Sequence, residues 1–293
     1  MITFDEAVPR IMAATTFSEL MDENRPLSAY RKWVKIVHPD TVGAPRRATA
    51  TQACAKLSEL YHGRDRTWIT GDIADFFESD GDVLLKVPRD PADNDLMATE
   101  ADALRKLRQS GDLRFQAYAP RLIDTFLHED GQRRRRHVNV IKRQKDMTSL
   151  DKITQVSVED GIWIWRRLLV ALGWAHRTGV IHGAVLEPHI LINQRDRGLV
   201  LVDWCYAGHR PKAIVGARES AYPPEVLTEK IASPATDIYM SAGVMTRVLG
   251  ERMPQRLRNF AAGCSFDREN MRPRDAWELL AEFDAIIPQR YRN

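Results

Sequence analysis

Residues 30–40 read YRKWVKIVHPD, a helix and the signal that stops it, and the organisation of the first part of the chain follows from them. Tyr30, Trp33, Val34 and Val37 stand at i, i+3, i+4 and i+7, one apolar stripe of a helix beginning near Ser28, while Arg31, Lys32 and Lys35 face elsewhere. Pro39 disfavours helical geometry at His38, and Asp40, Thr41 and Gly43 prolong the turn. Beyond that loop, Ala50, Cys54, Leu57 and Tyr61 recur at helical spacing between Arg46 and His62, with Gly63 as a stop. The first part of the chain is therefore expected to be two amphipathic helices joined at His38-Pro39-Asp40.

At 293 residues the chain exceeds one ordinary domain, and 44% hydrophobic with 28% charged residues suits folded, water-facing domains. No apolar run approaches the ~18 residues that span a bilayer. The start MITFDEAVPR carries acids where a secretory leader carries bases, so no membrane partner is expected. Cys54, Cys205 and Cys264 are odd in number, far apart and without zinc spacing, which favours a reducing cytoplasm. A net charge of +3 does not argue for nucleic acid. The run Arg133 to Arg136 is short and lacks interleaved aromatics, so it reads as a solvated strand start.

Residues 64–67, RDRT, read as a linker, and from Trp68 the texture changes to short segments with turn signals. Strands are expected over Asp82 to Val87, Leu122 to Leu127 and His137 to Lys142, the last two joined across a polar tip, His128-Glu129-Asp130-Gly131. A helix from Asp93 to Arg108 lies between them. From Val158 the pattern turns mainly helical, with Ile164, Leu168, Leu169 and Leu172 spaced for a buried face.

YRKWVKIVHPD, followed by a helix containing KLSELYHG, resembles the J-domain of DnaJ-type cochaperones over residues 1–63. The resemblance implies an all-α helical hairpin. It also implies a partner, a DnaK-type chaperone ATPase contacted by His38, Pro39 and Asp40. Arg31, Lys32 and Lys35 would draw that partner in electrostatically, an attraction that salt weakens. The Gly/Phe-rich and cysteine-rich zinc regions of full-length DnaJ proteins are absent, so client or partner choice would fall to the remainder of the chain.

That remainder, 68–293, resembles protein kinases by the order of its landmarks. The resemblance implies an α+β bilobal fold, with an N-lobe of about 68–144 and a reduced helical lobe of about 145–293. DVLLKV is similar to the VAIK strand and makes Lys86 the phosphate-contacting lysine, with Glu100 as its helix partner. IHGAVLEPHILI takes the place of the catalytic loop, VDWC that of DFG with Asp203 as the metal-binding residue, and YPPEVL that of APE. Asp237 matches a structural aspartate, and Arg272 the arginine that pairs with the APE glutamate, here Glu225.

The catalytic positions depart from the pattern. Ungapped alignment of HGAVLEPHILI with HRDLKPENILI keeps His182 but puts Gly183 in place of the arginine and Ala184 in place of the base. A methyl group accepts no proton. Leu186 replaces the loop lysine, and His189 replaces the metal-binding asparagine; its imidazole suits zinc or manganese better than magnesium. The glycine-rich positions read Ile69, Gly71 and Ala74, Asp72 and Asp75 add negative charge, and Phe76 and Leu84 crowd the adenine slot. The resemblance thus leads to a pseudokinase with no required cofactor, ATP and a divalent metal being disfavoured. The expected function is an adaptor recruiting a DnaK-type ATPase. Its rivals are an atypical kinase using Lys86, Asp203 and His189, and a structural subunit of a larger assembly.

Overall fold

In the computed structural model the described residues are 2–15, 17–21, 26–63, 67–79, 82–109, 112–129 and 133–291. They form a mixture of helices and antiparallel sheets. The first elements are α1 (Phe4–Ala13), α2 (Pro26–Val37), α3 (Arg47–Gly63), β1 (Thr67–Thr70), β2 (Ala74–Ser79), β3 (Val83–Pro88), α4 (Asn94–Gln109), β4 (Leu122–Glu129) and β5 (Arg135–Lys142). Then come β6 (Thr148–Ser149), α5 (Val158–Arg177), β7 (Ile190–Asn193), β8 (Gly198–Leu201), α6 (Pro224–Thr228), α7 (Pro234–Leu249), α8 (Gln255–Cys264) and α9 (Ala276–Ile286). Among the described residues no helix is long and apolar enough to cross a membrane.

The chain divides into two compact units along lines other than the expected linker: Met1–Met97 with Leu122–Arg143, and Ala98–Arg121 with Gln144–Asn293. Residues 64–66 of that linker lie outside the described residues.

In the first unit, Tyr30, Trp33 and Val37 of α2 meet Leu57 and Tyr61 of α3 and Ile11 of α1, all buried. The Tyr30 and Tyr61 rings stack at 4.2 Å, Phe17 meets Tyr61 edge-on at 5.0 Å, and the Trp33 indole N–H donates to the Leu20 carbonyl at 2.6 Å. These helices do not form a separate core. Leu85, Val138 and Val140 of the sheet belong to the same buried cluster, with Phe77, Val83, Val87 and Phe126 packed against it.

The sheet runs β1-β2-β3-β5-β4, antiparallel throughout. Cross-strand partners share a face, so the row Phe77, Leu85, Val140 turns toward the helices. The row Phe76, Lys86, Asn139, Thr125 turns to the other side. There the Asn139 amide donates to the Met97 carbonyl at 2.9 Å and holds the first turn of α4. The helical part thus has one defined packing on the sheet, where a short linker by itself permits several.

The expected tip at His128 is corrected. Residues 130–131 lie outside the described residues, but His128 belongs to β4 and is buried, because α3 covers that face. The Ser58 hydroxyl sits 2.9 Å from its Nε2, and the Tyr30 hydroxyl 3.4 Å from its Nδ1.

The second unit is built around α5, packed against α7 and α9, with β6-β7-β8 as a small antiparallel sheet. Ser157 caps α5, accepting from the Asp160 amide at 2.9 Å. Ile164, Leu168, Leu169 and Leu172 are fully buried. Gly173 lets α9 approach: a Cβ there lies 2.7 Å from the Trp277 Nε1. Ser233 and Pro234 start α7, with the Ser233 hydroxyl accepting from the Ala235 amide at 3.2 Å, and so set Asp237 in its first turn, fully buried.

Candidate functional sites

The turn after α2 is held by its own polar atoms. His38 is extended (φ −67°, ψ 132°), as the residue before proline must be, and its Nδ1 accepts from the Asp40 amide at 3.2 Å. The Thr41 amide and hydroxyl both donate to the His38 carbonyl, at 3.0 and 2.8 Å. Two side chains remain outward: His38 is 43% and Asp40 79% exposed. Lys32 and Lys35 are exposed on the preceding helix.

Arg31 requires a correction. Its guanidinium pairs with the Asp124 carboxylate of β4, so it is engaged by the sheet rather than joined to the two lysines. The cause is the packing of α2 on the sheet, which brings β4 beneath the helix. The arginine run is likewise drawn in: Arg135 pairs with Glu129 at 3.1 Å, and Arg136 donates to the Pro88 carbonyl at 3.0 Å.

The turn between β1 and β2 closes on itself. The Gly71 amide, expected as the remaining phosphate-facing donor, is instead used by the Ala74 carbonyl at 2.8 Å. Arg89 donates to the carbonyls of Gly71, at 2.6 Å, and of Asp72, and its guanidinium stands 3.5 Å from the Asp75 carboxylate. Of the two side chains expected to add negative charge here, that of Asp75 thus stands beside a cation. Phe76 leans over the turn, so that a Cβ at Gly71 lies 3.0 Å from its ring. Lys86 is buried, with its ammonium 5.5 Å from the Phe76 ring centre. Leu84 and Glu100 are also buried.

In the second unit the Asp237 carboxylate gathers the loop after α5. Its Oδ2 accepts from the His182 amide at 2.8 Å and stands 2.9 Å from the His176 Nε2; its Oδ1 accepts from the Gly183 amide at 2.8 Å. The loop must turn sharply here. Gly183 has φ +75°, and a Cβ would lie 2.5 Å from the Tyr206 carbonyl oxygen, so no side chain fits.

Two histidines complete the loop, and carbonyl partners decide their tautomers, since a carbonyl only accepts. His182 donates from Nε2 to Val202 at 2.9 Å, leaving Nδ1 to accept from the Ala184 amide at 3.2 Å. Its neutral ring is fully used. Burial pushes its pKa down to about 4, against the pull of Asp237. His189 donates from Nδ1 to the Ala184 carbonyl at 2.7 Å and places Nε2 3.5 Å from Asp203 Oδ2. Its ring lies parallel to Tyr206 at 5.9 Å. Ala184 itself is fully buried, a methyl between two histidine-bonded peptide groups.

Asp203 adopts a left-handed conformation (φ 62°, ψ 52°) and is 18% exposed at its side chain. With His189 it makes a pair of metal-capable side chains. Among the described residues no group of three or more His, Cys, Asp or Glu is placed to hold a metal ion. Further along, Arg272 grips Glu225 with two bonds of 2.7 and 3.0 Å, both residues buried, and the Thr236 hydroxyl donates to the same carboxylate at 3.0 Å.

Several residues of these sites carry no local sequence signal. His176, Arg89 and His128 act through partners that the fold supplies. Glu187 is buried between Arg247 at 2.6 Å and Arg218 at 3.5 Å. His176, the residue before the last of α5, lies close before His182 in the sequence, but its bond to Asp237 is made only by the fold. No protein-family model matches this chain, and no curated protein matches it.

Proposed function

We propose that this chain is a J-domain cochaperone that recruits a DnaK-type ATPase, with a kinase-like remainder that lacks a catalytic base and serves as a binding part. The observation that carries the reading is the His38-Pro39-Asp40 turn. It is braced by its own hydrogen bonds between two packed amphipathic helices, and it directs His38 and Asp40 outward beside Lys32 and Lys35.

The kinase-like part of the reading is supported by Asp237 beneath the loop of His182 and Gly183, and by the Glu225–Arg272 pair. Loss of phosphotransfer is supported by the buried methyl of Ala184 and by the self-bonded Gly71 turn. A reducing cytoplasm suits its three free cysteines, of which Cys205 and Cys264 are buried.

The test is chaperone turnover. The purified protein raises the ATPase rate of a DnaK-type chaperone, and His38→Gln abolishes the increase in a chain that circular dichroism shows still folded. Stimulation that survives His38→Gln refutes the reading. A radiolabelled-phosphate assay addresses the rival: label transfer that Lys86→Ala and Asp203→Asn both eliminate makes the chain an enzyme.

A further inference from the structure

Within the first unit, the row of the sheet that turns toward the helices runs Phe77, Leu85, Val140 and ends, on the edge strand β4, at Asp124. Three apolar side chains are thus followed by a carboxylate on the face that packs with α2 and α3. The register of β4 against β5 shifts between Leu122 and Asp124, the mark of an extra residue, and such bulges at sheet edges re-aim the side chain beside them. Asp124 meets the guanidinium of Arg31 on α2.

Arg31 stands on the line of α2 that leads to the His38 turn. Arg31 and Lys35 are one turn apart, at i and i+4, and His38 follows at i+7, just past the end of the helix. Lys32 and Lys35 are exposed, while the side chains of Arg31 and Asp124 are 42% and 41% exposed. A pair so open to water adds little to stability, because water and salt screen it and two side chains must be held still. Its larger consequence is for the charge that α2 presents: Asp124 subtracts one charge from a face of three cations. The carboxylate lies against Arg31, well inside the Debye length of about 8 Å at physiological ionic strength, so an approaching group meets the two charges together. An acidic partner must also take the guanidinium from Asp124 before bonding to it.

We infer that Asp124 is an intramolecular brake on recruitment: it holds Arg31 against the sheet and withholds that cation from an acidic surface docking beside the His38 turn. The inference rests on the cochaperone reading, whose site it regulates. The brake is graded. Lys32, Lys35, His38 and Asp40 keep their outward positions, so the partner still binds, with lowered affinity, and neutralising Asp124 raises that affinity.

The experiment uses the full chain as wild type, Asp124→Asn, Arg31→Gln and the double variant, each checked for folding by circular dichroism. It reads the concentration of chain that half-maximally stimulates ATP hydrolysis by purified DnaK at about 0.1 M salt, where the Debye length is about 10 Å. Asp124→Asn is expected to lower that concentration about threefold, the size of an exposed ion pair expressed as an equilibrium ratio. Arg31→Gln weakens stimulation by about the same factor in the Asp124→Asn chain and by less in wild type, because only the released guanidinium serves the partner. Asp124→Ala repeats the comparison if Asp124→Asn does not fold. An Asp124→Asn chain no better than wild type overturns the inference. So does a gain that Arg31→Gln leaves in place, since the gain then comes from removing a negative charge and not from releasing Arg31. Stimulation by none of the chains refutes the cochaperone reading and the inference with it, whereas stimulation that ignores Asp124 refutes the inference alone.

Discussion

Replacing Asp237 by Asn tests whether one carboxylate organises the loop that carries Gly183 and Ala184. The substitution keeps shape and size but exchanges one of two acceptor oxygens for an NH2 group. Both oxygens are in use: Oδ1 takes the Gly183 amide, and Oδ2 takes the His182 amide beside His176. Whichever way the new amide turns, one backbone N–H faces another donor in a site with no solvent access. A charge-assisted hydrogen bond is lost, about 1.5–3 kcal/mol, and a buried donor is left unsatisfied, about 1–3 kcal/mol more. The expected destabilisation is about 3–5 kcal/mol. For a unit of this size that lowers the melting temperature by roughly 6–20 °C, taking about 2–4 °C per kcal/mol. Urea denaturation followed by circular dichroism reads the difference. His176→Phe, which removes a side-chain donor and orphans no backbone group, loses less. An Asp237→Asn protein within about 1 kcal/mol of wild type refutes the reasoning, because it means the loop does not depend on this carboxylate.

Two further outcomes follow from the same loop. Gly183→Ala forces a Cβ into the Tyr206 carbonyl at positive φ and is expected to cost at least about 2 kcal/mol, whereas Gly216→Ala, with nothing within 4 Å, stays within about 0.5 kcal/mol; equal effects in a denaturation series contradict the geometry. His182 is lowered to about 4 when folded, so between the ordinary histidine value and pH 4 the unfolded chain binds a proton that the folded chain does not. Stability therefore falls as pH drops through that window, by up to about 3 kcal/mol at pH 4. His182→Gln flattens this part of the pH profile, and an unchanged slope in the variant argues that other groups cause it.

Much of the local structure was legible because its signals are short-range. The stripe of Tyr30, Trp33 and Val37 and the spacing of Leu57 and Tyr61 mark α2 and α3, and these residues are buried. Pro39 stops α2 within one residue of where the rule for pre-proline residues puts the end. The strands expected from Asp82, Leu122 and His137 appear as Val83–Pro88, Leu122–Glu129 and Arg135–Lys142. The candidate sites were legible in part. His38, Asp40, Gly183, Ala184 and Asp203 could be singled out, but not what each side chain or peptide group is bonded to. Gly71 illustrates the limit. Its identity suggests an open, permissive turn, yet Arg89, which is 18 residues distant in sequence, occupies its carbonyl, and Ala74 takes its amide.

The sequence by itself determined where α2, α3 and the strands β3, β4 and β5 lie, because periodicity and punctuation act over one or two turns. The tertiary structure alone decided that Arg31 answers Asp124, 93 residues away, that His128 is buried under α3, and that the helical part and the sheet share one core. The physical reason is that ion pairs, buried hydrogen bonds and clefts are made by groups that meet only when distant segments have packed, and no local pattern records which partner a side chain will find.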